Sequence, residues 1–208
     1  MKWMLFLVPA VVLAQPFSFG VKVGAPLTDA FNVASGRANF SPDTKRFVIG
    51  PTGEIRLPFG FGVEVDALYR RYEYSYSSSI FSPVAGDLQT AKTTGGSWEF
   101  PILAKYRTPI PLVKPYVVGG LAFNKLANVK QTLTCFSGSC GKSFNDIAHN
   151  SNVGVVVGGG LQVNALLLKI SPEVRFTRWG VANFDISAGS GSLKSNQNQA
   201  DFLIGITF

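Results

Sequence analysis

Histidine and cysteine are nearly absent from this chain. One His and two Cys stand among 208 residues, too few for the clustered nitrogen and sulfur ligands of a zinc-type centre. Charge is scarce as well. Asp, Glu, Lys and Arg together make up 15%, well below the roughly 25% usual in soluble domains. Long apolar runs are missing too. Beyond residue 14 nothing approaches the ~20 consecutive apolar residues that a membrane-spanning helix needs. Yet 46% of the residues are hydrophobic. That hydrophobicity is spread over many short segments, which raises the question of where their apolar faces go.

The first fourteen residues stand apart. Lys2 supplies a positive start, "WMLFLVPAVVL" is an apolar run, and Val12 and Ala14 occupy the −3 and −1 positions of a cleavage site before Gln15. This predicts a cleaved secretory signal peptide over 1–14 and a mature domain over 15–208. The run is too short to span a bilayer, and no cysteine near the cleavage point would anchor a lipoprotein. An exported chain folds in an oxidising compartment, where Cys135 and Cys140 of "CFSGSC" are expected to pair. The formal charge of +7 would attract nucleic acid or anionic lipid. For an exported protein lipid is the partner to expect, and nucleic acid is not.

Eight segments alternate apolar and polar residues with the two-residue period of β-strands, near 16–25, 45–57, 60–74, 96–107, 115–127, 151–163, 166–179 and 199–208. Their connections alternate as well. "PFG", "PIPLVK" and a turn near Asn164 are short; 26–44, 75–95, 128–150 and 180–198 are long and rich in Ser, Gly, Asn and Thr. Short turns at one end and long loops at the other predict an all-β, eight-stranded antiparallel up-and-down barrel that crosses an outer membrane, with periplasmic turns and extracellular loops.

The faces agree. Phe47, Ile49, Ile55 and Leu57 oppose Arg46, Thr52, Glu54 and Arg56. Phe61, Val63, Val65 and Tyr69 oppose Glu64, Asp66 and Arg70. Trp98, Phe100, Ile102 and Tyr106 oppose Glu99, Lys105 and Arg107. In a membrane barrel the shared partner of the apolar faces is lipid, and the polar faces line the lumen. "KPYVVGGLAF" is apolar on both faces and leaves its register open. Aromatic residues gather near strand ends: Phe47, Tyr72, Tyr74, Trp98 and Trp179 at the long-loop end; Phe17, Phe59, Tyr106, Tyr116 and Phe208 at the other. Two such belts are expected of interfacial anchors.

The leader, "KPYVVGGLAF", "SPEVRFTRW" and the terminal "DFLIGITF" resemble the small eight-stranded outer-membrane β-barrel family of OmpA/OmpX- and opacity-protein-like domains. The resemblance implies that Phe202, Ile204, Ile206 and Phe208 form a carboxyl-terminal signal read by the barrel-assembly machinery. It also implies contact with outer-membrane lipid and lipopolysaccharide, and a role in membrane integrity, adhesion or complement evasion. Because the chain stops at Phe208, the peptidoglycan-binding domain carried by some family members is not expected.

Turning the polar faces inward places Glu54, Glu64, Asp66, Glu99, Glu173 and Asp201 beside Lys22, Arg56, Arg70, Lys105, Lys169 and Arg175. An eight-stranded barrel is just wide enough for side chains to fill it. Buried charges must pair, so this balanced set is expected to form a salt-bridged plug; a proton or ion path is the sharper alternative. Gly20, Gly50, Gly62, Gly154, Gly158, Gly160 and Gly205 fall on the same face and are expected to make room for long Arg and Lys side chains.

Other motifs carry less chemistry. "GVVVGGG" at 154–160 lacks the Lys-Ser/Thr of a phosphate loop. His149 and Ser151, in "HNSN", resemble the H-x-S-N segment of the outer-membrane lipid A deacylases, with Ser151 as nucleophile and His149 as base. The alternation turns Ser151 toward lipid and the nearest strand acid, Glu173, toward the lumen, so no positioned acid completes a triad. Arg71, Tyr72, Tyr74 and Tyr76 of "RRYEYSY" suit the upper aromatic belt or the phosphates of lipopolysaccharide. The sequence thus points to a structural or surface-interaction protein with no enzyme chemistry and no cofactor. It would carry a plugged lumen and loops open to an extracellular ligand. A narrow channel for ions or small solutes is the second reading, and a lipid-modifying esterase the third.

Overall fold

A computed structural model describes residues 16–28, 31–34, 39–42, 47–79, 88–110, 112–135, 151–165, 168–181, 185–188 and 191–208. The described residues form thirteen strands: β1 Phe17–Pro26, β2 Phe31–Ala34, β3 Asn39–Pro42, β4 Val48–Arg56, β5 Phe61–Asp66, β6 Leu68–Ser79, β7 Leu88–Arg107, β8 Val113–Cys135, β9 Ser151–Ala165, β10 Leu168–Trp179, β11 Asp185–Ala188, β12 Gly191–Ser195 and β13 Asn198–Thr207. Antiparallel pairing runs from β1 through β4, β5–β6, β7, β8, β9, β10 and β13 and returns to β1. The sheet is therefore a closed barrel of eight staves, which leaves no unpaired edge inside a bilayer. No helix among the described residues is long and apolar enough to cross a membrane.

One stave is interrupted at Ala67, between β5 and β6, but its register against both neighbours continues unchanged across the gap. The cause lies on the flanking strands. Pro51 and Pro101 stand beside the gap, and neither has an N–H to donate to the ladder. Ala67 still donates its own N–H to the Pro51 carbonyl at 3.0 Å. At the turn end, Pro58–Gly60 forms a single tight turn with Phe59 at φ 63° and Gly60 at φ 85°. A side chain at Gly60 would meet the Arg107 carbonyl oxygen at 2.3 Å, so this turn requires glycine.

Alternation fixes the two faces. Outward residues such as Val21, Ile55, Val117, Val155, Val157 and Val174 are exposed, and they form a continuous apolar jacket. Phe202, Ile206 and Phe208 lie on the same outer surface, with Phe208 64% exposed. The stave that was apolar on both faces resolves cleanly. Val117, Leu121, Phe123 and Lys125 point out, whereas Tyr116, Val118, Ala122, Asn124 and Leu126 are buried.

Three expectations change. Trp179 and Tyr116, assigned to the aromatic belts, are inside the barrel, 4% and 3% exposed. Trp179 shares the parity of Arg175 and Thr177 on β10, so strand geometry turns it inward despite its place near the rim. The inward glycines also do more than admit long cations. A side chain at Gly154 would lie 2.7 Å from Trp179 Cε3, and one at Gly160 would lie 2.6 Å from the Tyr116 hydroxyl; these two glycines seat aromatic rings. Third, the long connections contain much strand. β6 runs on to Ser79, β7 starts at Leu88 and β8 ends only at Cys135. β2 pairs with β12, and β12 with β11, so the first and fourth long connections share a three-stranded sheet. β3 pairs with β6. Cys140 and His149 lie outside the described residues, as do residues 1–14, where a signal peptide is expected.

Candidate functional site: the ion-paired lumen

The interior is built from polar side chains contributed by nearly every stave. At its centre lies Arg175 on β10. Its guanidinium reaches Asp66 Oδ2 at 2.9 Å, Glu64 Oε1 at 3.1 Å and Glu173 Oε1 at 2.7 Å. Lys22 on β1 approaches the same three carboxylates, at 2.5 Å from Glu64, 3.3 Å from Asp66 and 3.2 Å from Glu173. Two cations thus share three anions from strands β5 and β10. Arg175, Glu64, Glu173 and Asp66 are among the most completely buried side chains of the protein. Removing such charges from water costs several kcal/mol each unless partners surround them, and here each has at least two.

Toward the turn end the network continues. Lys105 bridges Glu64 at 2.8 Å and Glu54 at 3.3 Å, and its ammonium sits 4.0 Å from the ring centroid of Tyr116. Arg107 holds Glu54 at 2.6 Å and donates to Gln162 at 3.1 Å. Tyr116 donates its hydroxyl proton to Glu173 at 3.0 Å. Toward the loop end a second group forms: Arg70 on β6 lies 2.8 Å from Asp201 on β13 and 3.5 Å from Glu99 on β7.

Most of the charges assigned to the lumen from sequence are buried there: Lys22, Glu54, Glu64, Asp66, Arg70, Glu99, Lys105, Glu173, Arg175 and Asp201. Arg56, 3.4 Å from Glu54, and Lys169 remain partly exposed at the turn end. Two further charges, Arg107 and Glu73, are buried with them. Arg107 shares the parity of Lys105 and was legible on that ground. Glu73 was not, because the alternation changes phase after Arg70, and nearby the β7–β8 register slips between Thr94 and Gly96.

Ser151 opens β9 on the exposed outer face, opposite Lys125. Glu173 is held inside by Lys22, Arg175 and Tyr116, so it cannot orient an imidazole beside Ser151. On that outer face the register aligns Tyr69, Trp98, Lys125 and Ser151 in one row across four staves. The Tyr69 and Trp98 rings lie 5.3 Å apart, and Arg71 is exposed one step closer to the loops.

A closed antiparallel sheet of eight staves, apolar outside and ionic inside, with turns at one end and long hairpins at the other, defines a transmembrane β-barrel of the outer membrane. The family described as outer membrane protein beta-barrel domain matches residues 13–185, and the chain belongs to it. Among solved structures, the outer membrane protein OprG from Pseudomonas aeruginosa is 12% identical, covers 92% of each chain and has a TM-score of 0.51. Neisserial surface protein A is 13% identical over 93% of this chain and 96% of its own, with a TM-score of 0.47. Ail, the attachment invasion locus protein of Yersinia pestis, is 9% identical over 93% and 100%, with a TM-score of 0.38. No curated protein sequence matches the chain.

Proposed function

We propose that this protein is a non-conducting, non-enzymatic outer-membrane barrel that presents structure outside the membrane while a salt-bridged plug closes its lumen. The observation that carries this reading is the cluster of Lys22, Glu64, Asp66, Glu173 and Arg175, which converges from β1, β5 and β10 across the middle of the barrel. An ion passing there would have to part fully buried pairs, and stranding such charges costs several kcal/mol. Planar-bilayer recording of the refolded mature chain tests it, with the heat-dependent gel shift as the folding control. Folded protein should give no unitary conductance. Discrete, reproducible steps would overturn the plug and favour a narrow channel.

The surface role rests on the staves themselves. β7 has 20 residues and β8 has 23, whereas a strand crosses a bilayer in about 9–11. Roughly half of each therefore stands beyond the membrane as paired sheet, a firmer platform for contact than a loose loop. The outer row of Tyr69, Trp98 and Lys125, with Arg71 above it, offers aromatic and cationic groups where phosphates of an outer-leaflet glycolipid would lie. Replacing Arg71 and Lys125 together by Glu should reduce lipopolysaccharide retained through purification; undiminished retention would remove this partner.

The remaining assignments belong to the same reading. Phe202, Ile204, Ile206 and Phe208 serve as the assembly signal, so Phe208→Ser should lower the folded yield in cells. Cys135, at the end of β8, bonds to Cys140, which a mass shift on reduction and alkylation would reveal.

A further inference from the structure

The upper lumen contains polar atoms that the protein itself leaves unsatisfied. Asn124 Oδ1, Thr177 Oγ1, Gln199 Oε1, Asp201 Oδ1 and the indole Nε1 of Trp179 are all buried without a hydrogen-bond partner. Their residues are each 5% exposed or less. Buried polar atoms are normally paired, so five orphans at one end of one lumen ask for a common explanation.

Register brings them together. Thr177 stands opposite Gln199, and Arg175 opposite Asp201, across the β10–β13 pair. Asn124 stands opposite Glu99 across β7–β8. Trp179 and Thr177 flank Gly154, where an added side chain would lie 2.7 Å from the indole and 3.2 Å from the Thr177 methyl. All these side chains point inward at the loop end of the barrel, in the layer that holds Arg70, Glu99 and Asp201. The central ion pairs lie beneath, so a solute would enter from outside the cell.

The atoms state what they need. Asn124, Gln199 and Asp201 offer acceptors, Thr177 offers either role, and Trp179 offers only a donor. Three of the five orphans are acceptor oxygens, one of them on a carboxylate, which disfavours an anion. Among the described residues no three His, Cys, Asp or Glu side chains cluster as metal ligands. An –NH3+ group has three donors and no acceptor. It matches the three acceptors, and a neighbouring hydroxyl would accept the indole proton. We propose that this layer is a binding cup for a small hydroxylated primary ammonium, with Asp201, Asn124 and Gln199 on the ammonium, and with Trp179 donating to the ligand hydroxyl and Thr177 accepting from it.

Trp179 is its own reporter. Of three tryptophans, Trp3 lies in the leader and Trp98 on the outer wall, so W98F in the mature chain leaves Trp179 as the sole emitter. Titration of this refolded variant with ethanolammonium chloride should give a saturable emission change. Choline, whose nitrogen has no donor, and sodium should give none at equal ionic strength. Asp201→Asn should weaken the half-saturation concentration at least tenfold and Thr177→Val by several-fold. The second variant keeps the test alive if the first fails to fold. No saturable change, or the same titration with choline or sodium, would overturn the cup. Conductance is a separate readout, so a failed cup and a failed plug are told apart.

Discussion

The two levels of the lumen handle buried polarity in opposite ways. Around Arg175 the ionic groups almost saturate one another: Lys22, Lys105, Glu64 and Glu173 each meet two or more partners, and one orphan atom, Asp66 Oδ1, remains. Around Arg70 the layer mixes ions with amides, a hydroxyl and an indole, and five atoms go unmatched. Both levels sit on the same staves with the same alternation. Closure of the sheet therefore does not determine how full the interior is; the choice of side chain at each inward position does.

That contrast can be broken from below. Arg175→Met would leave three carboxylates sharing Lys22, and stranding buried charge in this way costs about 3–5 kcal/mol; the urea midpoint of the heat-dependent gel shift should fall accordingly. Lys105→Met removes a cation from Glu54 and Glu64 at the edge of the same network. It should cost less than Arg175→Met and more than either Glu99→Gln or Thr177→Val in the upper layer. Glu99→Gln, whose contact with Arg70 is 3.5 Å, should cost about 1 kcal/mol, the scale of one ordinary hydrogen bond. Thr177→Val removes an orphan hydroxyl at nearly constant shape and should be neutral or slightly stabilising. If Thr177→Val destabilised as much as Lys105→Met, the two levels would not differ as described.

The staves were legible because two solvents enforce them. Lipid on one side and the ionic interior on the other impose a two-residue period, as at Val153, Val155 and Val157 against Asn152, Gly154 and Val156. Beyond the membrane that contrast ends. Residues 75–79 and 88–95 are strand, yet their Ser, Thr and Gly have no apolar face for a pattern to mark. The same limit applied to the site. Charges announced the lower network, whereas Asn124, Thr177 and Gln199 are ordinary polar residues in sequence, and their grouping comes only from register. Trp179 lies near the rim, where belt aromatics are expected, but its parity with Arg175 and Thr177 turns it inward.

The meeting of the two chain ends has a mechanical consequence. β1 and β13 form the seam where the first and last staves join, over Gly20–Pro26 and Asp201–Thr207. At the lower rim the Ser18 hydroxyl donates to the Phe208 carbonyl oxygen at 2.5 Å, and the Phe208 N–H to Phe19 at 3.0 Å. At the upper rim Leu27 N–H reaches the Ala200 carbonyl at 2.7 Å, and above it β2 is sewn to β12. A side door opening at this seam to admit a lipid tail from the bilayer would have to unpick stitches at both hems and a patch above them. The hoop is fastened where a hoop is weakest, and traffic between membrane and interior would need another route.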